Sequence, residues 1–176
     1  MGDTLITVVA IFLAAILMFV FPLMSVSERA DDITQLDIQA LTTEFTNNVR
    51  MAGKLTNANY QAFSQKLAST GNSYDIGLEI QVLDTNISKK TGGGQVSFTS
   101  VGNNSYYSEY TSQILDTLET SNQRILKEGD LISVTVKNTN KTISDMLRNF
   151  FYSLGGNDTY QIAASHSGMV VKTGQQ

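Results

Sequence analysis

The chain begins with an unbroken apolar run. From Leu5 to Val26, in LITVVAIFLAAILMFVFPLMSV, no side chain is ionisable. As a helix this run spans roughly 30 Å, the thickness of a bilayer's hydrocarbon core. Past an acidic cluster at Glu28, Asp31 and Asp32 the pattern changes without stopping. Ile33, Leu36, Ala40, Leu41, Phe45, Val49 and Ala52 recur at spacings of three and four, the stripe of an amphipathic helix, and Gly53 follows as a terminator. The two segments read as one helix of ~45–50 residues, on the order of 70 Å long and bent at Pro22. Residues 1–27 belong in an apolar medium, and residues 28–54 are the amphipathic continuation. The latter is expected to pack on a globular head, residues 55–176, through Ile33, Leu36, Leu41, Phe45 and Val49.

The head alternates between the two periodicities. Thr56 or Asn57 can cap a short helix through Ala68 that carries Tyr60, Phe63 and Leu67 on one side and ends by Gly71. YDIGLEIQVLD is the clearest strand, with Tyr74, Ile76, Leu78, Ile80 and Val82 facing one way. The glycine-rich loop SKKTGGGQ leads to a shorter strand around Val96, Phe98 and Val101. Tyr107, Tyr110, Ile114, Leu115 and Leu118 suggest a second helix, and the turn KEGD opens the strand LISVTVKN. A further helix is expected from Ile143 to Leu154, then a last strand through Tyr160, Ile162 and Ala164. The expected fold is α+β: a long apolar-then-amphipathic helix with about four strands, largely antiparallel, and packed helices.

The opening run is expected to be retained in the membrane rather than removed. A secretory signal has a basic start and an apolar core of about 7–15 residues. Met-Gly-Asp has no basic side chain and the run is longer, although Ser25-Val-Ser27 has the form of a cleavage site. The acids around Arg29 favour an orientation with the N-terminus inside and the head outside. Ala10 and Ala14, with Ala15 adjacent, form a small-xxx-small face that lets helices approach closely. Pro22 removes one amide donor near the end of the run.

Composition narrows the chemistry. Charged residues are 16% of the chain, below the roughly 25% of ordinary domains, and the formal net charge is −4. No basic footprint for nucleic acid is present. Without Cys there is no disulfide, thiolate zinc site or cysteine nucleophile. His166 is the single histidine, and SHSG is not a nucleophile elbow. Lys90-Thr-Gly-Gly-Gly lacks the ordered phosphate-loop pattern, and Asp84-Thr-Asn86-Ile-Ser88 lacks the turn glycine and terminal glutamate of a calcium loop. Asn86, Asn103, Asn140 and Asn157 each head an N-x-[ST] triplet, which in a chain this polar marks exposed loops. No enzymatic activity, cofactor or metal is expected.

A retained apolar helix running on into a small α+β head resembles type IV pilins and the pilin-like proteins of tight-adherence systems. The stretch LTTEFTNNVRMAGKLTNANYQAFSQKLASTGNSYDIGLEI is similar to TadE-type pilin-like proteins of Gram-positive bacteria. The matching residues are Arg50, Gly53, Leu55 and Thr56, then Thr70, Gly71, Asn72, Tyr74 and Asp75. The resemblance implies a structural subunit of an extracellular filament, held in the membrane before assembly. It also implies copies of itself and an assembly machinery as partners, with the head displayed for adhesion. The chain departs from the type IV prepilin pattern: no basic residue precedes Gly2, and Thr7 stands where the family carries a glutamate. Asp3 is the acid nearest the start; in a filament core it would partner a neighbour's terminal amine, and otherwise it serves the helix dipole. The alternative is a single-span anchored accessory or binding module of a secretion or conjugation machine that never polymerises.

Overall fold

A computed structural model describes residues 2–84, 105–140, 146 and 162–175. Helix α1 spans Gly2–Ala52, 51 residues, and runs through Pro22 without interruption. Pro22 has no N–H to give the Met18 carbonyl, yet the helix continues into the head. Strand β1 (Lys54–Thr56), helix α2 (Asn57–Ala68) and strand β2 (Tyr74–Asp84) follow. Then come β3 (Ser105–Tyr110), α3 (Thr111–Ser121), β4 (Gln123–Ile125), β5 (Leu131–Asn138) and β6 (Ala163–Met169).

The main sheet has the order β3-β2-β5-β6, antiparallel throughout, and β1 pairs with β4 in a separate two-stranded ribbon. Alternation decides which face is inside. Leu78, Ile80, Ile132, Val134, Val136 and Ala164 point inward and are buried. The lower half of α1, α2 and α3 cover them with Ile38, Phe45, Val49, Phe63, Leu67, Ile114 and Leu118. Phe45 and Phe63 stack with ring centres 4.2 Å apart, joining α1 to α2.

One expectation is corrected here. Tyr107 and Tyr110 lie in β3, not in a helix, and α3 begins only at Thr111. Their register against β2 (Val82↔Tyr107, Glu79↔Tyr110) adds a strand that the tyrosine spacing concealed. The expected strand around Val96, the glycine-rich loop and Tyr160 lie outside the described residues. So does the helix from Ile143 to Leu154, apart from Met146, which is helical and exposed.

Local chemistry explains the joints. Thr56 caps α2, its hydroxyl accepting from the Asn59 amide at 3.2 Å. Asp130 is buried because its carboxylate is fully employed: Oδ1 accepts from the Leu83 amide at 2.9 Å and Oδ2 from the Lys127 amide at 2.7 Å. The Thr111 hydroxyl closes an open position on β2, accepting from the Leu78 amide at 2.8 Å and donating to its carbonyl at 3.2 Å.

Gly53 ends α1 with φ +65°, its amide donating to the Val49 carbonyl at 2.9 Å. Its carbonyl accepts from the Leu126 amide at 2.8 Å, and a Cβ at Gly53 would collide with the Lys172 carbonyl and the Gly174 amide. The C-terminal residues thus lie directly over the end of the helix. Gly53→Ala should destabilise the head by more than about 2 kcal/mol, because backbone strain and collision add. Urea unfolding of the full chain in micelles checks this; a midpoint unchanged from wild type would refute it.

Candidate functional site

The part of the molecule that demands a functional explanation is α1 itself. Its first half makes no core: Leu5, Ile6, Phe12, Met18, Phe19 and Phe21 are all exposed. Among the described residues this is the one helix long and apolar enough to cross a membrane. Soluble proteins rarely leave such continuous apolar area in water. Ala10, Ala14 and Ala15 lie on this exposed stretch, so the small-residue face is free to meet another helix. Asp3 sits in the first turn, where the macrodipole favours an acid, and the Thr7 hydroxyl donates to the Asp3 carbonyl at 2.8 Å. The Thr7 side chain is therefore turned back on its own helix.

The lower half of α1 is seated on the sheet by residues different from those expected. Phe45 and Val49 are buried, and Leu41 packs at the margin of the core. Ile33 and Leu36 point outward instead, 61% and 64% exposed. The buried stripe is Ile38, Thr42, Phe45, Thr46 and Val49. Periodicity alone missed it because two of its five members are threonines. Thr46 hides its hydroxyl by donating to the Thr42 carbonyl at 2.8 Å, which leaves its methyl group for the core. Ile33 and Leu36 belong to the opposite side, where they extend the exposed apolar surface of the stem toward the head.

Polar contacts fix the helix lengthwise. The Gln35 amide binds the edge of β6 at two points, donating to the Ala163 carbonyl at 2.6 Å and accepting from its N–H at 3.0 Å. At the far end Arg50 Nε donates to the Met169 carbonyl at 3.0 Å, and the Arg50 carbonyl accepts from the Val171 amide at 3.2 Å. From Gln35 to Arg50 is about 22 Å of helix, and from Ala163 to Met169 about 20 Å of strand, so α1 runs along β6 in matching length and the same direction. Arg50 lies so close to Gly168 that a Cβ there would approach its side chain to 3.1 Å. Beside this seam a groove of about 450 Å³ opens between α1 and α2, lined by Phe45, Val49, Ala52 and Phe63 and bordered by the Glu44–Lys66 ion pair at 3.1 Å.

The motif residues acquire physical roles. Arg50 ties α1 to β6, Gly53 permits the crowded turn, Leu55 is fully buried in the core and Thr56 caps α2. Further on, the Thr70 and Tyr74 hydroxyls share a hydrogen bond of 2.7 Å, Gly71 adopts φ +86°, and Asn72 accepts from Asn140 Nδ2 at 3.1 Å. Asp75 helps to raise the Tyr60 pKa above its ordinary value, with burial as the larger cause. Asn140 is engaged with Ser73 and Asn138 as well, and Asn86, Asn103 and Asn157 lie outside the described residues. His166 lies half-buried on the inner face of β6, opposite Val134. Among the described residues no group of three or more potential metal ligands comes together.

The outer face of the sheet carries a second polar arrangement. Glu79 Oε1 accepts from the Ser108 hydroxyl at 2.9 Å and from Gln81 Nε2 at 3.1 Å. These bonds, Gln81 first, hold its carboxyl below the ordinary value of 4.5.

No family model, curated protein or solved structure matches the chain. The architecture itself is pilin-like, a long N-terminal apolar helix followed by an antiparallel sheet.

Two predictions follow from these contacts. The Thr42 hydroxyl oxygen is fully buried and has no hydrogen-bond partner. Thr42→Val keeps the shape and removes that penalty, so stability should rise by about 1 kcal/mol. Denaturant unfolding measures it, and a loss of stability would show that the hydroxyl is needed. The Glu79 contribution carries the sign of a depressed carboxylate: complete above its ordinary value and lost as pH falls through the lower folded value. Glu79→Gln should therefore flatten stability against pH below about pH 4.5 and leave neutral-pH slopes alone. Parallel acid titrations of both proteins by circular dichroism decide the point.

Proposed function

We propose that the chain is a structural subunit of an extracellular pilus-like filament, held in the membrane before assembly. Copies join by mutual burial of their N-terminal helices, and the heads face outward for adhesion or surface contact. The observation that carries this reading is the double life of α1: one uninterrupted helix is exposed apolar stem in its first half and protein core in its second. A stem so tied to its head transmits the position of one subunit to the next.

Removing stem surface from water is worth about 25 cal/mol per Å². Lipid already supplies most of that gain, so close helix packing must supply the rest, and the face of Ala10, Ala14 and Ala15 suits it. A contact between a stem and a different surface of the next copy does not close on itself, and repetition makes a fibre. The assembly machinery of such filaments is the expected partner in the membrane.

The competing reading is a single-span anchored module that never polymerises. Thr7 favours it specifically, because no buried acid stands there to register one stem against the next.

The double variant Ala10→Leu/Ala14→Leu separates the two. Membrane insertion should persist while filaments disappear from surface-sheared material viewed by negative-stain microscopy. Wild-type material that holds the chain only as dispersed membrane-bound copies would establish the anchored module instead.

A further inference from the structure

We propose that the outer face of the main sheet is a binding site for a neutral oligosaccharide. The face is the side of β2, β5, β6 and β3 opposite the core. One row of directly paired residues crosses all four strands: Tyr110, Glu79, Ser133 and Ser167. The adjacent row adds Thr135 and Ser165, whose hydroxyls lie 3.1 Å apart, and the row on the other side adds Ser108, Gln81, Leu131 and Met169.

Three features of this face point to a polyhydroxyl ligand. First, beside the apolar Leu131 and Met169 that continue the Gln81 row, these rows present hydroxyls and an amide, each able to donate and accept. Second, their one carboxylate is held in place. Gln81 and Ser108 both bind Glu79 Oε1, which leaves Oε2 to accept from a further donor. Third, Tyr110 stands at the end of the row 59% exposed, a flat amphipathic ring beside that carboxylate. A sugar ring offers an apolar face for the tyrosine and hydroxyl donors for the carboxylate.

Charge selects the class. Among the described residues the other ionic groups on the face are Asp75 and Lys137, which lie opposite one another at its end. With Glu79 these give the described residues of the face two carboxylates and one cation, a balance that disfavours acidic glycans, phosphate and nucleic acid. A cationic partner would find its two acids apart, Asp75 beside Lys137 and Glu79 among neutral hydroxyls. The four strands span about 14 Å, so the row accommodates an oligosaccharide rather than a single sugar.

This inference rests on the head being displayed outside the membrane, and it does not depend on polymerisation. The test uses the full chain as single copies in nanodiscs of sugar-free phospholipid, probed with an array of neutral, sialylated and sulfated oligosaccharides. Saturable binding to a neutral oligosaccharide is expected, weakened about tenfold or more by Glu79→Gln and by Tyr110→Ala. Ser167→Lys, an exposed change that disturbs no core contact, should weaken it as well. Failure of every neutral glycan to bind would overturn the site. So would preference for acidic glycans, or binding indifferent to all three substitutions. Filament formation is read separately by microscopy, so either result leaves the other standing.

Discussion

The rest of the structure depends on one constraint: α1 carries two apolar surfaces that cannot both be satisfied by a single copy in water. Its lower stripe is covered by the sheet and by α2. Its upper half has no cover within the monomer. Because both belong to one continuous helix, whatever medium or neighbour covers the stem also bears on where the head stands. The lengthwise ties at Gln35 and Arg50 keep the two surfaces in fixed relation.

The head is built to hold that helix. Positions where the sheet would otherwise offer free backbone groups are taken by side chains: Gln35 at Ala163, Thr111 at Leu78 and Asp130 at Leu83. Such closures limit unintended strand pairing between copies that would be crowded side by side. The bidentate pair of Arg124 with Glu109, at 2.7 and 2.9 Å, ties the small ribbon to the main sheet.

The legible parts of the sequence were those in which one face is apolar and the other polar. YDIGLEIQVLD and LISVTVKN alternate cleanly, so β2 and β5 and their inner faces could be read directly. The stem was legible by length and by the continuation of its period past the acids. SYYSEY was not, because tyrosines on both faces fit strand and helix alike. The seat of α1 was misread at Ile33 and Leu36 because Thr42 and Thr46 look polar in sequence. Only the hydrogen bond from Thr46 back to the helix shows how a threonine can be buried. The strands β1 and β4, three residues each, exist by pairing with one another across a long stretch of chain, which no local pattern reveals.

The central claim is that stems are covered by other stems, and a spin label on the stem tests it most directly. Met18, 77% exposed in the monomer, is the site: Met18→Cys carries a nitroxide, and its spectrum is compared in sheared surface material and in dilute lipid vesicles. Dipolar broadening between neighbouring labels in the surface material, absent in the vesicles, is the predicted result. Identical, unbroadened spectra with full access to lipid-soluble quencher in both samples would contradict the account.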